Sequence, residues 1–338
     1  AERAKWFPIY WGWWFTDSTI DGERARTVLT DLRDVDDPEV QFQARHCVWA
    51  IEFNLGHHKN CIAAVDEGLA LYGTGQRAGD ATLFGGHDAR VCGLSHRGLS
   101  QWFTGRAASA VRSLAEARHW AMQTAHVGSI AHAYINEAML DCYRRDFSAL
   151  RGVIADIREL TKRHHLPSLA ALAQILEGWC EGNAARVEQG RDQIREGLAI
   201  HGDLQTPEDY PVYYGMLAEL LARTGETDEA LRLVSSAAAE AEAGGSLSWL
   251  AELYRRKAHL LLLRGSSGTD VVAALSKSLA TADEQNAVPI LLNAYEMLGT
   301  WGVSEELSRQ YRGRVALAKS AIEQGAALFV NLEPSLRH

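Results

Sequence analysis

The 338 residues carry 43 acidic against 34 basic side chains, a formal charge of −9, with 47% hydrophobic residues and only 7 Pro. That balance excludes a general binder of nucleic acid or anionic membrane, and the composition excludes a disordered tail. No apolar run approaches the roughly 20 residues that a bilayer span needs, so no transmembrane helix is expected.

The first element is aromatic: Trp6, Phe7, Tyr10, Trp11, Trp13, Trp14 and Phe15 crowd one predicted helix. Tryptophans this dense cover more than one face, which makes Trp6, Trp11, Trp13 and Trp14 candidate interface residues for a neighbouring domain. The same stretch lacks a basic segment leading into a clean apolar core, so no signal peptide is expected. A first residue other than Met fits a piece of a longer polypeptide. The five cysteines (Cys47, Cys61, Cys92, Cys142, Cys180) are odd in number and lie far apart without a CxxC pair. They suit a reducing cytoplasm better than a disulfide framework.

From Glu39 to Leu55 the apolar residues Val40, Ala44, Cys47, Val48, Ile51 and Leu55 follow the spacing of one helix face. A layout then recurs: helix, Gly-centred turn, a small residue five further on and another seven beyond that. Its clearest copies are Gly56–Cys61–Gly68, Gly105–Ala110–Ala117 and Gly225–Ala230–Ala237, and a looser one ends in Gly190 and Gly197. Gly105 and Gly225 are 120 residues apart, room for three units of 40; Gly265 follows 40 on and Gly302 another 37. A period near 40 with two helices per unit predicts an all-α helical solenoid, in which each pair buries its apolar face on its neighbours. Small residues permit close helix crossing, and Gly at the turn supplies positive φ. Pro38, Pro167, Pro207 and Pro211 fall at or near predicted helix starts. The longest irregular stretch, Gly73 to Gly86, exceeds what a repeat turn needs, as functional loops often do.

Around that loop the chain resembles a known family. Glu67-Gly68-Leu69-Ala70-Leu71-Tyr72 and Phe84-Gly85-Gly86-His87-Asp88-Ala89-Arg90-Val91-Cys92 are similar to the GLALY and YGGHDPGVC boxes of the tetratricopeptide-like C-terminal region of large bacterial signalling proteins. Ala89 stands where the family has Pro. Gln101-Trp102, Glu177-Gly178-Trp179 and Trp249 to Lys257 extend the resemblance over roughly residues 1–265, while 266–338 fit only as generic helical repeats or a cap. In that family a nucleotide cyclase or DNA-binding effector is followed by a STAND-class ATPase and then the solenoid. The resemblance implies a right-handed, tetratricopeptide-like superhelix, here of about seven to eight helix pairs, acting as a sensing or scaffolding module. Walker A is absent, so any such chemistry would lie outside these residues.

The segment after the loop is the best candidate site. Asp88 is placed to cap the next helix, and Asp88, Cys92 and His96 then share one helix face. His87 adjoins them, Trp102 follows on the same helix, and His57 and His58 lie in the preceding repeat turn. Carboxylate, thiolate and imidazole together suit a zinc-like ion. The plainer account makes Asp88 a cap, Cys92 a small core residue and His87 a loop-ordering partner, so no metal ligand set is assigned. Lys162, Arg163, His164 and His165 fit a helix C-terminus through the dipole, and Arg255-Arg256-Lys257 reads as a solvated face. Gly73 to Ala78 formally reads GxGxxA but follows a helix rather than a strand, and Gly93 to Gly98 has one residue too many for a nucleophile elbow.

The function expected is a cytoplasmic regulatory and protein-interaction module, not itself an enzyme, with no cofactor. Its partner would be another protein or its own upstream ATPase or effector domain. One alternative is a small-molecule or metal sensor using the 73–86 loop and the His87–His96 box. Another is an enzyme centred on Cys92 and His87, which needs an accessible thiolate.

Overall fold

Local chemistry sets the helix boundaries. The computed structural model describes residues 27–71 except 28 and 33, then 86–203 and 210–322. The first long helix, α1 (Pro38–Asn54), starts with Pro at its first position, and the Asp37 side chain accepts from the Glu39 N–H. It is followed by α2 (His58–Leu71), α3 (Ala89–Phe103), α4 (Ala107–Thr124), α5 (Val127–Arg144), α6 (Phe147–His164) and α7 (Pro167–Asn183). The remainder are α8 (Val187–Asp203), α9 (Tyr210–Arg223), α10 (Thr227–Gly244), α11 (Leu250–Leu263), α12 (Gly268–Glu284), α13 (Val288–Trp301) and α14 (Glu305–Ser320). Asp88, Asp146, Ser267 and Ser304 cap α3, α6, α12 and α14 through their side chains. Each such cap is worth about 1 kcal/mol because it satisfies an N–H that the helix leaves without a partner. Pro167 and Pro211 take the first and second positions of α7 and α9, whereas Pro207 lies outside the described residues.

Among the described residues, these fourteen helices follow one another as seven consecutive hairpins, each turning on one residue with positive φ. These corners are Gly56, Gly105, Arg145, Ala185, Gly225, Gly265 and Gly302, with φ of 77°, 85°, 53°, 69°, 86°, 74° and 59°. From Gly105 to Gly265 they recur every 40 residues, and Gly302 follows after 37. The bonding at the corners is also shared. At Gly105 the corner N–H donates to Trp102 O and the next N–H to Gln101 O; at Gly225 the acceptors are Ala222 and Leu221, and at Gly265 they are Leu262 and Leu261. Gly56 and Arg145 repeat the arrangement. This is the Schellman closure of a helix end, and it requires a left-handed residue. Gly105, Gly225 and Gly265 therefore occupy equivalent corners, and the all-α repeat expected from their spacing is the fold observed. Arg145 and Ala185 fill the two corners between them that glycine spacing alone leaves blank.

The small residues sit at the crossings within pairs. Cys61, Ala110, Ala117 and Ala230 are wholly buried. At the tightest crossing, between α7 and α8, a Cβ on Gly190 would lie 2.4 Å from both Gly178 O and Gly182 N. Gly197, one repeat position further, has room for a Cβ only at 2.7 Å from Ile175 Cγ1. Large side chains fill the space on either side, with Trp49, Trp102 and Trp179 at most 2% exposed. Burying each such side chain contributes about 2–3 kcal/mol.

Contacts divide the chain into two compact units. The first runs to Leu140 and takes in residues 243–248; the second comprises Asp141–Glu242 and Trp249–Ala321. Among the described residues, no helix is long and apolar enough to cross a membrane. The N-terminal tryptophans Trp6, Trp11, Trp13 and Trp14, and all of the 73–86 loop except Gly86, lie outside the described residues.

Candidate functional site

In the first unit α1, α3 and α5 bring together a group of imidazoles around one thiol. The geometry starts at Gly86, whose φ of +71° turns the chain into α3. Gly128, at the start of α5, lets that backbone approach closely, since a Cβ there would meet Gly86 O at 2.1 Å. The contact is then fixed by hydrogen bonds: the Asp88 N–H donates to Ser129 Oγ at 2.8 Å, and Asp88 Oδ1 accepts from the Arg90 and Val91 N–H groups. Burial pushes the Asp88 carboxyl up, while those N–H donors pull the other way. Asp88 is thus the helix cap that its position suggested.

His87 is held between neighbours as a result. Its ring stacks on His132, one turn beyond Gly128 on α5, with centroids 4.2 Å apart and planes 9° from parallel. It also makes a T-shaped contact with His46 from α1, with centroids 5.5 Å apart. His46 itself stacks on Trp49 at 5.0 Å, and the Trp49 indole N–H donates to Cys92 Sγ at 3.4 Å. Cys92 Sγ is also 3.4 Å from His96 Nδ1, one helical turn on, and the His96 ring stacks on Phe53 at 4.7 Å. One coordinating atom from each of His46, His87 and Cys92 lies within 4.8 Å of the other two.

The His46, His96 and His132 rings are neutral at pH 7. Burial, reinforced by the neighbouring imidazoles, holds His46 and His132 well below the ordinary histidine range and lowers His96 to about 3. The polar chain on α1 also selects a tautomer. Glu39 Oε1 accepts from the Gln43 amide N–H at 2.8 Å, which turns the Gln43 carbonyl toward His46 Nδ1 at 3.0 Å. His46 Nδ1–H therefore donates and Nε2 carries the lone pair.

The other residues singled out from the sequence have different surroundings. His57 is exposed at the first corner, its Nδ1 2.7 Å from Glu52 Oε2. His58 is wholly buried, stacked on Phe103 at 4.1 Å with its Nδ1 3.4 Å from Ser100 Oγ, and burial lowers it to about 3. Trp102 is core, edge-on to Phe103 at 5.1 Å. The structure thus gathers His87, Cys92 and His96 but not His57, His58 or Trp102. It adds His46 and His132, whose only sequence signal is a histidine on an otherwise core-facing helix position. All five cysteines are buried free thiols.

The second unit holds a buried ion network. Arg145, at its left-handed corner, donates to both oxygens of Glu219 and to Asn183 Oδ1 at 2.8 Å. Its guanidinium also lies 4.9 Å from the Trp179 ring centre. Arg256 donates to Glu219 Oε2 at 2.9 Å and to Gly215 O at 3.1 Å, while Arg255 holds Glu252 through two bonds of 2.7 and 2.8 Å. The arginines keep both carboxyls below the usual range despite full burial. The expectation of a solvated face at Arg255 and Arg256 is therefore corrected. Their helix, α11, packs against both α9 and α13, and each guanidinium meets a carboxylate that is itself buried.

Comparison with known proteins gives three results. No family model matches the chain. A curated relative, an uncharacterized protein of Rhizobium meliloti (strain 1021), is 36% identical over 305 residues. Those residues are 90% of this chain, which spans about 30% of the relative's length. Among solved structures, the apo form of RapI is similar at a TM-score of 0.49 and 11% identity, over 84% of this chain and 100% of that one.

Proposed function

We propose that the chain is the regulatory, protein-interaction region of a larger bacterial signalling protein that carries a nucleotide cyclase or other effector and a STAND-class ATPase. The observation that carries this reading is the array of hairpins on equivalent corners, 40 residues apart from Gly105 to Gly265. Helical hairpins of this kind offer exposed helix faces that suit a partner segment or an adjoining domain. The GGHD…VC box and a relative about three times as long support the fusion. Residues 1–265 would form the interacting repeats and 266–338 the closing cap, in a cytoplasmic protein. The burial of Cys92, at 2% exposure, supports a role without catalysis for the box.

The long Rhizobium meliloti relative offers the test. Its ATP hydrolysis and cyclic-nucleotide production are measured with and without the segment equivalent to this chain. A change of about fivefold or more in either activity supports regulation through the repeats. Equal rates overturn it, and no nucleotide turnover in either form overturns the proposed fusion.

A sensor reading has one observation in its favour: His87, Cys92 and His96 do converge, with two further imidazoles.

A further inference from the structure

We infer that His46, His87 and Cys92 form a binding site for a zinc-class divalent cation, joining the first helix hairpin to the start of the second. The inference stands on its own ligand set and does not depend on the regulatory reading.

Three features carry it. One coordinating atom from each residue already lies within 4.8 Å of the others. A tetrahedral zinc with one sulfur and two nitrogen ligands needs such atoms about 3.3–3.6 Å apart, so a contraction of about 1 Å completes the site. His87, half-buried and next to the exposed Gly86, is the least enclosed of the three. Second, the outer partners are those a bound imidazole and thiolate require. Gln43, itself fixed by Glu39, holds His46 Nδ1–H and leaves Nε2 as the lone-pair nitrogen, while the Trp49 N–H points at the Cys92 sulfur from 3.4 Å. Third, His132 Nε2 is buried with no hydrogen-bond partner among the described residues, on a ring stacked 4.2 Å from His87. A buried polar atom left so calls for a water or ion beside it. Mixed imidazole and thiolate donors select zinc or cobalt over magnesium or calcium. The fourth position falls to water.

The whole chain, stripped of metal, is titrated with Co²⁺ and then Zn²⁺. One equivalent of Co²⁺ should give a thiolate-to-metal charge-transfer band that Zn²⁺ bleaches. Cys92→Ala should abolish the band, His46→Ala and His87→Ala should weaken binding at least about tenfold, and Cys47→Ala, altering a buried thiol outside the site, should leave it intact. X-ray absorption at the zinc edge of the unaltered chain needs no variant, and should show one sulfur near 2.3 Å with nitrogen or oxygen near 2.0–2.1 Å. Failure to take up one equivalent, a band indifferent to Cys92→Ala in a folded variant, or a sulfur-free shell would each overturn the assignment.

Discussion

Arg145 and Glu219, 74 residues apart in the chain, meet in a two-pronged ion pair of 3.0 and 2.8 Å. The arginine that makes it also turns the corner between α5 and α6 at a φ of 53°. One residue therefore serves a local backbone need that glycine would meet better and a long-range electrostatic need that glycine cannot meet. The two uses can be separated. Arg145→Gly relaxes the corner but leaves Glu219 buried with Arg256 as its remaining charged partner, so the net effect should be a loss of about 3 kcal/mol in urea unfolding. A double-mutant cycle with Glu219→Leu should return a coupling of about 2 kcal/mol. Additive effects would mean that the pair contributes nothing beyond its separate parts.

The glycines fall into two kinds, and alanine should tell them apart. Gly190→Ala drives a Cβ into the backbone of α7, where nothing flexible can yield, and should cost about 3 kcal/mol or prevent folding. Gly225→Ala meets open space but keeps a φ of +86°, and should cost about 1–2 kcal/mol. The reverse change is informative at the corner that lacks glycine: Ala185→Gly, at φ 69°, should raise stability by up to about 1 kcal/mol. Thermal unfolding of the three variants checks the order.

Acid should unfold the protein early. His58 and His96 both titrate near 3 when folded, against 6.5 when exposed. A folded value below the unfolded one means that the unfolded chain takes up protons first. The stabilisation is complete above pH 6.5 and falls as pH drops toward 3. Each histidine should contribute a slope of about 1.4 kcal/mol per pH unit once pH is well below 6.5. His46 and His132 act in the same direction. Urea midpoints at pH 7.5, 5.5 and 4.5 measure the slope, which His58→Phe, keeping the stack on Phe103, should reduce by about that single-residue amount. A flat profile across this range would contradict the burial of these rings.

Cys92 should not behave as a nucleophile. It is 2% exposed, and its companions fare no better: burial pushes the Cys61 thiol up to about 12 and Cys180 to about 11. Iodoacetamide on the folded chain should label Cys92 no faster than the other four cysteines, and all five only at the rate of unfolding. Preferential labelling of Cys92 would restore the enzymatic alternative.

Much of the architecture is written into local chemistry. A glycine that must take positive φ, a small residue at each crossing, and Asp or Pro at a helix start each act within a few residues, so Gly105, Gly225, Gly265, Asp88 and Pro38 announce the hairpins without any tertiary information. Arg145 and Ala185 stand at the same corners unannounced, because a side chain forced into the left-handed region carries no mark in its identity. The candidate site was legible only in part. Asp88, Cys92 and His96 share a face by helical spacing alone, whereas His46 and His132 join them from helices roughly forty residues to either side. Only the stacking of α1, α3 and α5 puts those rings in contact. The same holds for Arg256, whose surroundings are decided by α9: a run of charges looks solvated until another helix sets a carboxylate, here Glu219, against it. Backbone conformation depends on near neighbours and is settled by them; burial and partnership depend on which surfaces meet, and only the packed helices decide that.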